Sequence, residues 1–266
     1  MPESAVAEPR EQETENMPTM GFLDHLEELR KRIVYSIIAV AIGCAACWGY
    51  RERIYDIMQR PIMDALHKNG LSEKLVFLNP TEPFNLYLKI AALAGLFLTS
   101  PFVLYQVWMF ISPGLYRREK RYVVPFMIST IALFTCGGYF GYKIVYPRAL
   151  DFLIDFGRQF QPMITIGEYT QLFLSIVLGM GLIFELPVLV FFLAFMGILT
   201  PGFMLKHFRY AILVIFIIAA IVTPTPDVVN MCIFAAPMVA LYAISVLVAW
   251  AVHPKQRAAR REKRAT

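Results

Sequence analysis

The chain has 266 residues, of which 58% are hydrophobic and 14% aromatic, with 25 Lys and Arg against 20 Asp and Glu for a formal net charge of +5. Soluble domains carry about 45–50% apolar residues, so this composition excludes an ordinary soluble enzyme and marks a polytopic membrane protein. The bases fall in short clusters beside apolar runs, a pattern that sets membrane topology and argues against a nucleic-acid surface.

Residues 1–19 are polar, acidic and punctuated by proline, with too little apolar surface to fold, and are expected to form a disordered tail. Phe22, Leu26, Leu29 and Ile33 then recur at helical spacing, with Asp24, Glu28 and Arg32 on another face. This predicts an amphipathic helix at the membrane surface running into a first span at 33–50. Arg30, Lys31 and Arg32 at the junction place that end in the cytoplasm. Cys44 and Cys47 have a redox spacing, but they lie inside this span with no βαβ pattern near them, and all four cysteines occupy apolar runs as small hydrophobes. The four histidines are scattered, so no metal or other cofactor is implied.

Residues 51–82 alternate acids with bases around an amphipathic piece expected to be broken by Pro61, which suits an extracytoplasmic cap lying across the bundle. A second span at 84–111 carries Pro101 as a kink, and Tyr105 and Trp108 as members of an interfacial aromatic belt. The stretch Tyr105 to Pro125 forms a charged bend between two apolar runs, in which Arg117, Arg118, Lys120 and Arg121 surround Glu119. Four bases there fix the bend on the cytoplasmic side. The third span, 125–146, has a small-residue face at Gly137, Gly138 and Gly141 for close helix contact, and 151–168 is an outer loop.

The fourth span, 169–199, places Glu185 near its middle and Pro187 just beyond. An ionisable group at that depth costs about 2.5–3.5 kcal/mol on insertion scales, so it must face protein or water. Lys206 and Arg209 return the chain to the cytoplasm. The fifth span, 210–222, offers about 13 to 15 residues, or roughly 20–22 Å, against a hydrocarbon core of about 30 Å. The sixth, 228–252, is read as interrupted by Pro237, so the last two spans are expected to be short, joined by an outer turn ending at Asp227. The tail at 254–266 is basic and expected to be disordered and cytoplasmic. The fold class is therefore all-α, with six transmembrane helices over 20–253 and both termini in the cytoplasm.

Three carboxylates stand out from the solvated ones: Glu28 and Glu119 at the cytoplasmic rim and Glu185 in the bundle. Guanidinium groups bind carboxylates through parallel charge-assisted bonds, so a rim pair suits an arginine-bearing ligand. The plainer alternatives are that Glu28 pairs with Arg32 and Glu119 with its basic neighbours.

The runs His25-Leu-Glu-Glu-Leu-Arg-Lys-Arg32, Tyr105 to Glu119, Phe184-Glu-Leu-Pro187 and Thr223-Pro-Thr-Pro-Asp227 resemble the TatC family of the twin-arginine translocase, in order and spacing, over about residues 20 to 253. The resemblance implies a concave six-helix bundle in the inner membrane that receives signal peptides with two consecutive arginines. It also implies single-span TatA/TatB-type partners, self-association in the complex, and export of folded proteins driven by the proton-motive force. By motif, Glu28, Leu29, Arg30, Phe110 and Glu119 would form the recognition surface. Glu185 would be the intramembrane partner contact, Asp227 the acid of the outer turn, and Pro61 structural. No phosphate-binding loop or hydrolase motif competes, and the chain is not expected to be an enzyme. A proton-coupled transporter of a small cation using Glu185 is the alternative, and a plain scaffold the third reading.

Overall fold

The computed structural model describes residues 22–71, 75–111, 123–157, 159–160, 163–195, 197–222 and 227–252. Among these the architecture is all-helical, with one isolated bridge between Val76 and Thr165. The helices are α1 (Phe22–Trp48), α2 (Arg51–Lys68), α3 (Glu82–Ile111), α4 (Val123–Phe140), α5 (Tyr146–Phe156), α6 (Ile166–Ile183), α7 (Leu186–Phe195), α8 (Pro201–Lys206), α9 (Phe208–Val222) and α10 (Val228–Val252). Among the described residues four stretches are long and apolar enough to cross a membrane: His25–Trp48, Glu82–Phe110, Ile166–Ala194 and Met231–Ala251. The 15 residues of α9 rise only about 22 Å.

Proline does not break this chain at the two places where a break is expected: Pro61 and Pro237 both sit inside continuous helices, and Pro101 lies within α3. The last two spans are therefore not both short, because α10 runs unbroken for 25 residues. The segment from Asp151, expected as an outer loop, begins as helix instead, since α4 passes through a π-helical turn, Gly141–Val145, into α5. The turn precedes Pro147, which lacks an amide hydrogen, and the amide of Tyr146 reaches back to the Gly141 carbonyl.

Glycine closes the helix pairs. A Cβ on Gly95 would lie 2.5 Å from the Cys44 amide nitrogen, and one on Gly43 would lie 2.8 Å from the Gly95 carbonyl oxygen, so α1 and α3 cross backbone to backbone. The small-residue face of α4 serves the same end: a Cβ on Gly137 would lie 2.6 Å from the Met180 carbonyl of α6, while Gly138 abuts Phe97. Gly70 and Gly197 adopt φ of 65° and 78° and end α2 and α7 with paired bonds from Gly70 and Leu71, and from Gly197 and Ile198, to carbonyls of the preceding turn.

Contacts order the bundle. Phe110 meets His25 and Phe84 meets Trp48, so α3 runs antiparallel to α1. Trp108 meets Phe126, and Tyr146 meets Phe173, so α4 and α6 alternate in turn. The start of α1, the ends of α3 and α7, and α8 thus share a first end. At the second end α2 packs on α3 and α5, and the main core gathers Met58, Ile62, Ile90, Tyr146, Ile176 and Met180. Trp108 belongs to no interfacial belt. It is buried between α3, α4 and α7, against Phe126 and Phe192.

Candidate functional site

His25, Glu28 and Arg32 fall on one face of α1, three and four residues apart, and meet Gln106 and Phe110, four apart on α3. His25 stacks on Phe110 with ring centroids 4.4 Å apart and planes 19° from parallel. One turn further in, the Arg32 guanidinium donates through Nη2 to Glu28 Oε1 at 3.1 Å and through Nη1 to Gln106 Oε1 at 2.9 Å. Glu28 and Arg32 keep only 17% and 22% of their side-chain surface exposed, unlike the nearby surface pair of Glu27 and Lys31 at 67% and 63%. The plain reading of Glu28 as an intrahelical partner of Arg32 is thus present, but with a remainder: Glu28 Oε2 is buried with no hydrogen-bond partner among the described residues. Leu29 is half-buried and Arg30 exposed beside it. Glu119 lies outside the described residues.

Glu185 occupies the break between α6 and α7. Pro187 offers no amide to the Ile183 carbonyl, and the Glu185 amide itself turns back to Leu182 at 3.1 Å. Glu185 is half-buried, with Oε1 buried and unpartnered. The kink expected at Pro187 is therefore a full interruption. Asp227 stands just before α10, and its carbonyl accepts the Met231 amide at 3.2 Å, the position in which aspartate suits a helix start.

Pro61 is explained by what sits four residues before it. A helical residue at 61 would donate its amide to the Ile57 carbonyl, and proline cannot. The Tyr142 hydroxyl donates to that carbonyl instead, at 2.7 Å, and Tyr169 donates to the next, Met58, at 2.5 Å. α2 stays helical through its proline because two tyrosines from distant elements complete and anchor it.

The sequence did not single out Gln106, Tyr142 or Tyr169. Gln106 carried a signal, being a polar side chain four residues before Phe110 in an apolar run. The tyrosines carried none, because their partners lie 85 and 111 residues away. Among the described residues no group of three His, Cys, Asp or Glu could hold a metal. A cavity of about 440 Å³ opens at the second end, lined by Ile62, Leu150, Ile154, Glu168, Tyr169 and Leu172. No predicted site residue lines it.

Comparisons with known proteins bear on this arrangement. The family model described as Sec-independent protein translocase protein (TatC) matches residues 24–237. A TatC protein of Koribacter versatilis (strain Ellin345) is 63% identical over 248 residues, covering 93% of this chain and 92% of the relative. One from Carboxydothermus hydrogenoformans is 40% identical over 238 residues, covering 89% and 96%. A crystal structure described as the twin-arginine translocase receptor TatC superposes with a TM-score of 0.77 at 34% identity, covering 86% of this chain and 99% of that one.

Proposed function

The chain belongs to the TatC family of Sec-independent protein translocase proteins, and we propose that the end of its bundle where α1 begins and α3 finishes is the surface that receives paired-arginine signal peptides. As a member of that family it is a component of a protein translocase and not an enzyme. The observation that carries the proposal is Glu28: a part-buried carboxylate at the bundle end, with one oxygen held and the other buried without a donor among the described residues. An acceptor in that state gains from an incoming cation more than a hydrated one does.

Glu28 takes one arginine of the pair and Glu119, which follows α3 in sequence, takes the other. Leu29 and the Phe110 ring supply apolar contact for the residues that follow the arginines, and exposed Arg30 repels a misplaced cation. The chain spans the inner membrane six times, through α1, α3, α4, α6 with α7, α9 and α10. Arg30, Lys31, Arg32, Lys206 and Arg209 share the first end, which supports a cytoplasmic position for it and for both termini. The short α9 spans where the bilayer thins around the bundle. α2 and the segment to α3 form the outer cap, with Pro61 a structural residue and Asp227 the acid of the last outer turn. Residues 1–19 and 254–266 are tails outside the membrane domain. Glu185, on a concave face, receives a polar group from a single-span TatA/TatB-type partner, and copies of the chain associate in the complex. The family assignment displaces the small-cation transporter as a reading of Glu185.

Uptake of a folded cargo with an Arg-Arg signal into inverted membrane vesicles tests this. Glu28→Gln and Glu119→Gln are each expected to lower uptake about tenfold or more, the worth of a charge-assisted bond. Glu185→Ala is expected to reduce co-purification of the single-span partners while peptide binding persists. Undiminished uptake in both rim variants would remove the receptor assignment from this end.

A further inference from the structure

We infer that Gln106 and Arg32 are positioning residues for signal recognition: Arg32 is a built-in guanidinium, steered by Gln106, that occupies one oxygen of Glu28 and leaves the other as the sole acceptor for an arriving arginine. The inference rests on the receptor reading of Glu28 and adds to it a mechanism that fixes how the carboxylate is presented.

The geometry carries the argument. A guanidinium four residues from a carboxylate on a helix can close on it with two parallel bonds, the preferred fork arrangement. Here the fork is split. Nη2 meets Glu28 Oε1 at 3.1 Å, while Nη1 is drawn to Gln106 Oε1 at 2.9 Å on the other helix. Gln106 is 5% exposed, so its amide is fixed by packing and cannot follow Arg32 away. Because α1 and α3 cross backbone to backbone at Gly43 and Gly95, the distance between these groups is set by a rigid pair. The result is that Glu28 Oε2 is buried without a partner. Buried polar atoms are rarely left that way, and an incoming donor is one way to complete this one.

Two consequences follow for recognition. An arginine arriving at Glu28 makes one bond there, end-on, and not the bidentate pair, so this carboxylate alone discriminates weakly between arginine and lysine. Removing Arg32 opens both oxygens and should strengthen both binding and the arginine preference. Removing Gln106 does the reverse, since Arg32 is then free to close on both oxygens and exclude the ligand. Neighbours in one hydrogen-bonded chain are thus expected to act with opposite sign, which loss of packing does not produce.

The test is binding of labelled Arg-Arg and Lys-Lys signal peptides to the purified full chain in detergent, with thermal unfolding of each variant alongside. Gln106→Leu, close in size, is expected to weaken Arg-Arg binding about tenfold, and Gln106→Glu, which keeps the acceptor, to restore it. Arg32→Gln is expected to tighten Arg-Arg binding several-fold and to raise the Arg-Arg over Lys-Lys ratio, with Arg32→Lys between it and the native chain. If Gln106→Leu fails to fold, the Arg32 pair still decides the matter. Affinities that fall together in Gln106→Leu and Arg32→Gln, or that stay unchanged in both, overturn the inference. Glu28→Gln separates the two levels: if it leaves Arg-Arg binding intact, the receptor reading of Glu28 fails first, whereas if it weakens binding while the Arg32 and Gln106 variants do not act oppositely, only the positioning mechanism fails.

Discussion

The two ends of the bundle treat polar groups in opposite ways. At the second end, Pro61 leaves the Ile57 carbonyl without its helical donor, and Tyr142 fills the place from 85 residues away, with Tyr169 bonding the neighbouring carbonyl. At the first end, Arg32 is split between two acceptors, and Glu28 Oε2 is left open. The break at Glu185 resembles the first end in this respect, because its Oε1 is also buried and open. A gap created by sequence and closed by a distant side chain fixes the fold. A polar atom that the fold buries and leaves unpartnered is one that an incoming donor would complete.

The largest effect is expected at the crossing of α1 and α3. Gly95→Leu would drive a side chain into the Cys44 backbone and is expected to abolish recovery of monodisperse protein from detergent extracts, since overpacking against backbone has no soft neighbour to move. Normal recovery would show that the crossing is not rigid. A smaller effect sharpens the second end. Tyr142→Phe removes the donor to Ile57 and is expected to cost about 1 kcal/mol in unfolding. Pro61→Ala supplies the missing amide, so the same tyrosine change should cost measurably less in that background. Equal costs in a double-mutant cycle would mean that Tyr142 and Pro61 are unrelated. Smaller again is the surface contrast at the first end. Glu27→Gln breaks an exposed pair with Lys31 and should shift stability by less than about 0.5 kcal/mol. It should leave Arg-Arg peptide binding within about twofold. A loss comparable to that of Glu28→Gln would show that rim charge in general, and not the held carboxylate, attracts the signal.

Most of the fold was legible from apolar runs and their flanks. The run from Phe22 into span one, the extent of α10 and the glycine face of α4 all follow from side-chain periodicity and size, which are local properties. Proline misleads. Its chemistry predicts a break at Pro61 and at Pro237, yet among the described residues the helix broken at a proline in mid-span is the one at Pro187. Whether a proline interrupts a helix depends on whether another element supplies the lost donor, and that partner is invisible at short range. Trp108 misled for a related reason: an indole beside a charged bend suits a membrane interface, but the aromatic rings of α4 and α7 enclose it. Glu28 and Phe110 came from motif resemblance. That they face one another, with Gln106 and Arg32 between the helices, needed the antiparallel pairing of α1 with α3.

The most direct test of the account is where a signal peptide touches the chain. A photoreactive side chain placed at Leu29 in the first end, and in a second variant at Leu71 in the second end, should be irradiated with labelled Arg-Arg and Lys-Lys peptides in native membranes. The account predicts an adduct at position 29 that forms with Arg-Arg, weakens with Lys-Lys and disappears when Glu28→Gln is added, and none at position 71. An adduct at position 71, or one at 29 indifferent to both the arginines and Glu28, would contradict it.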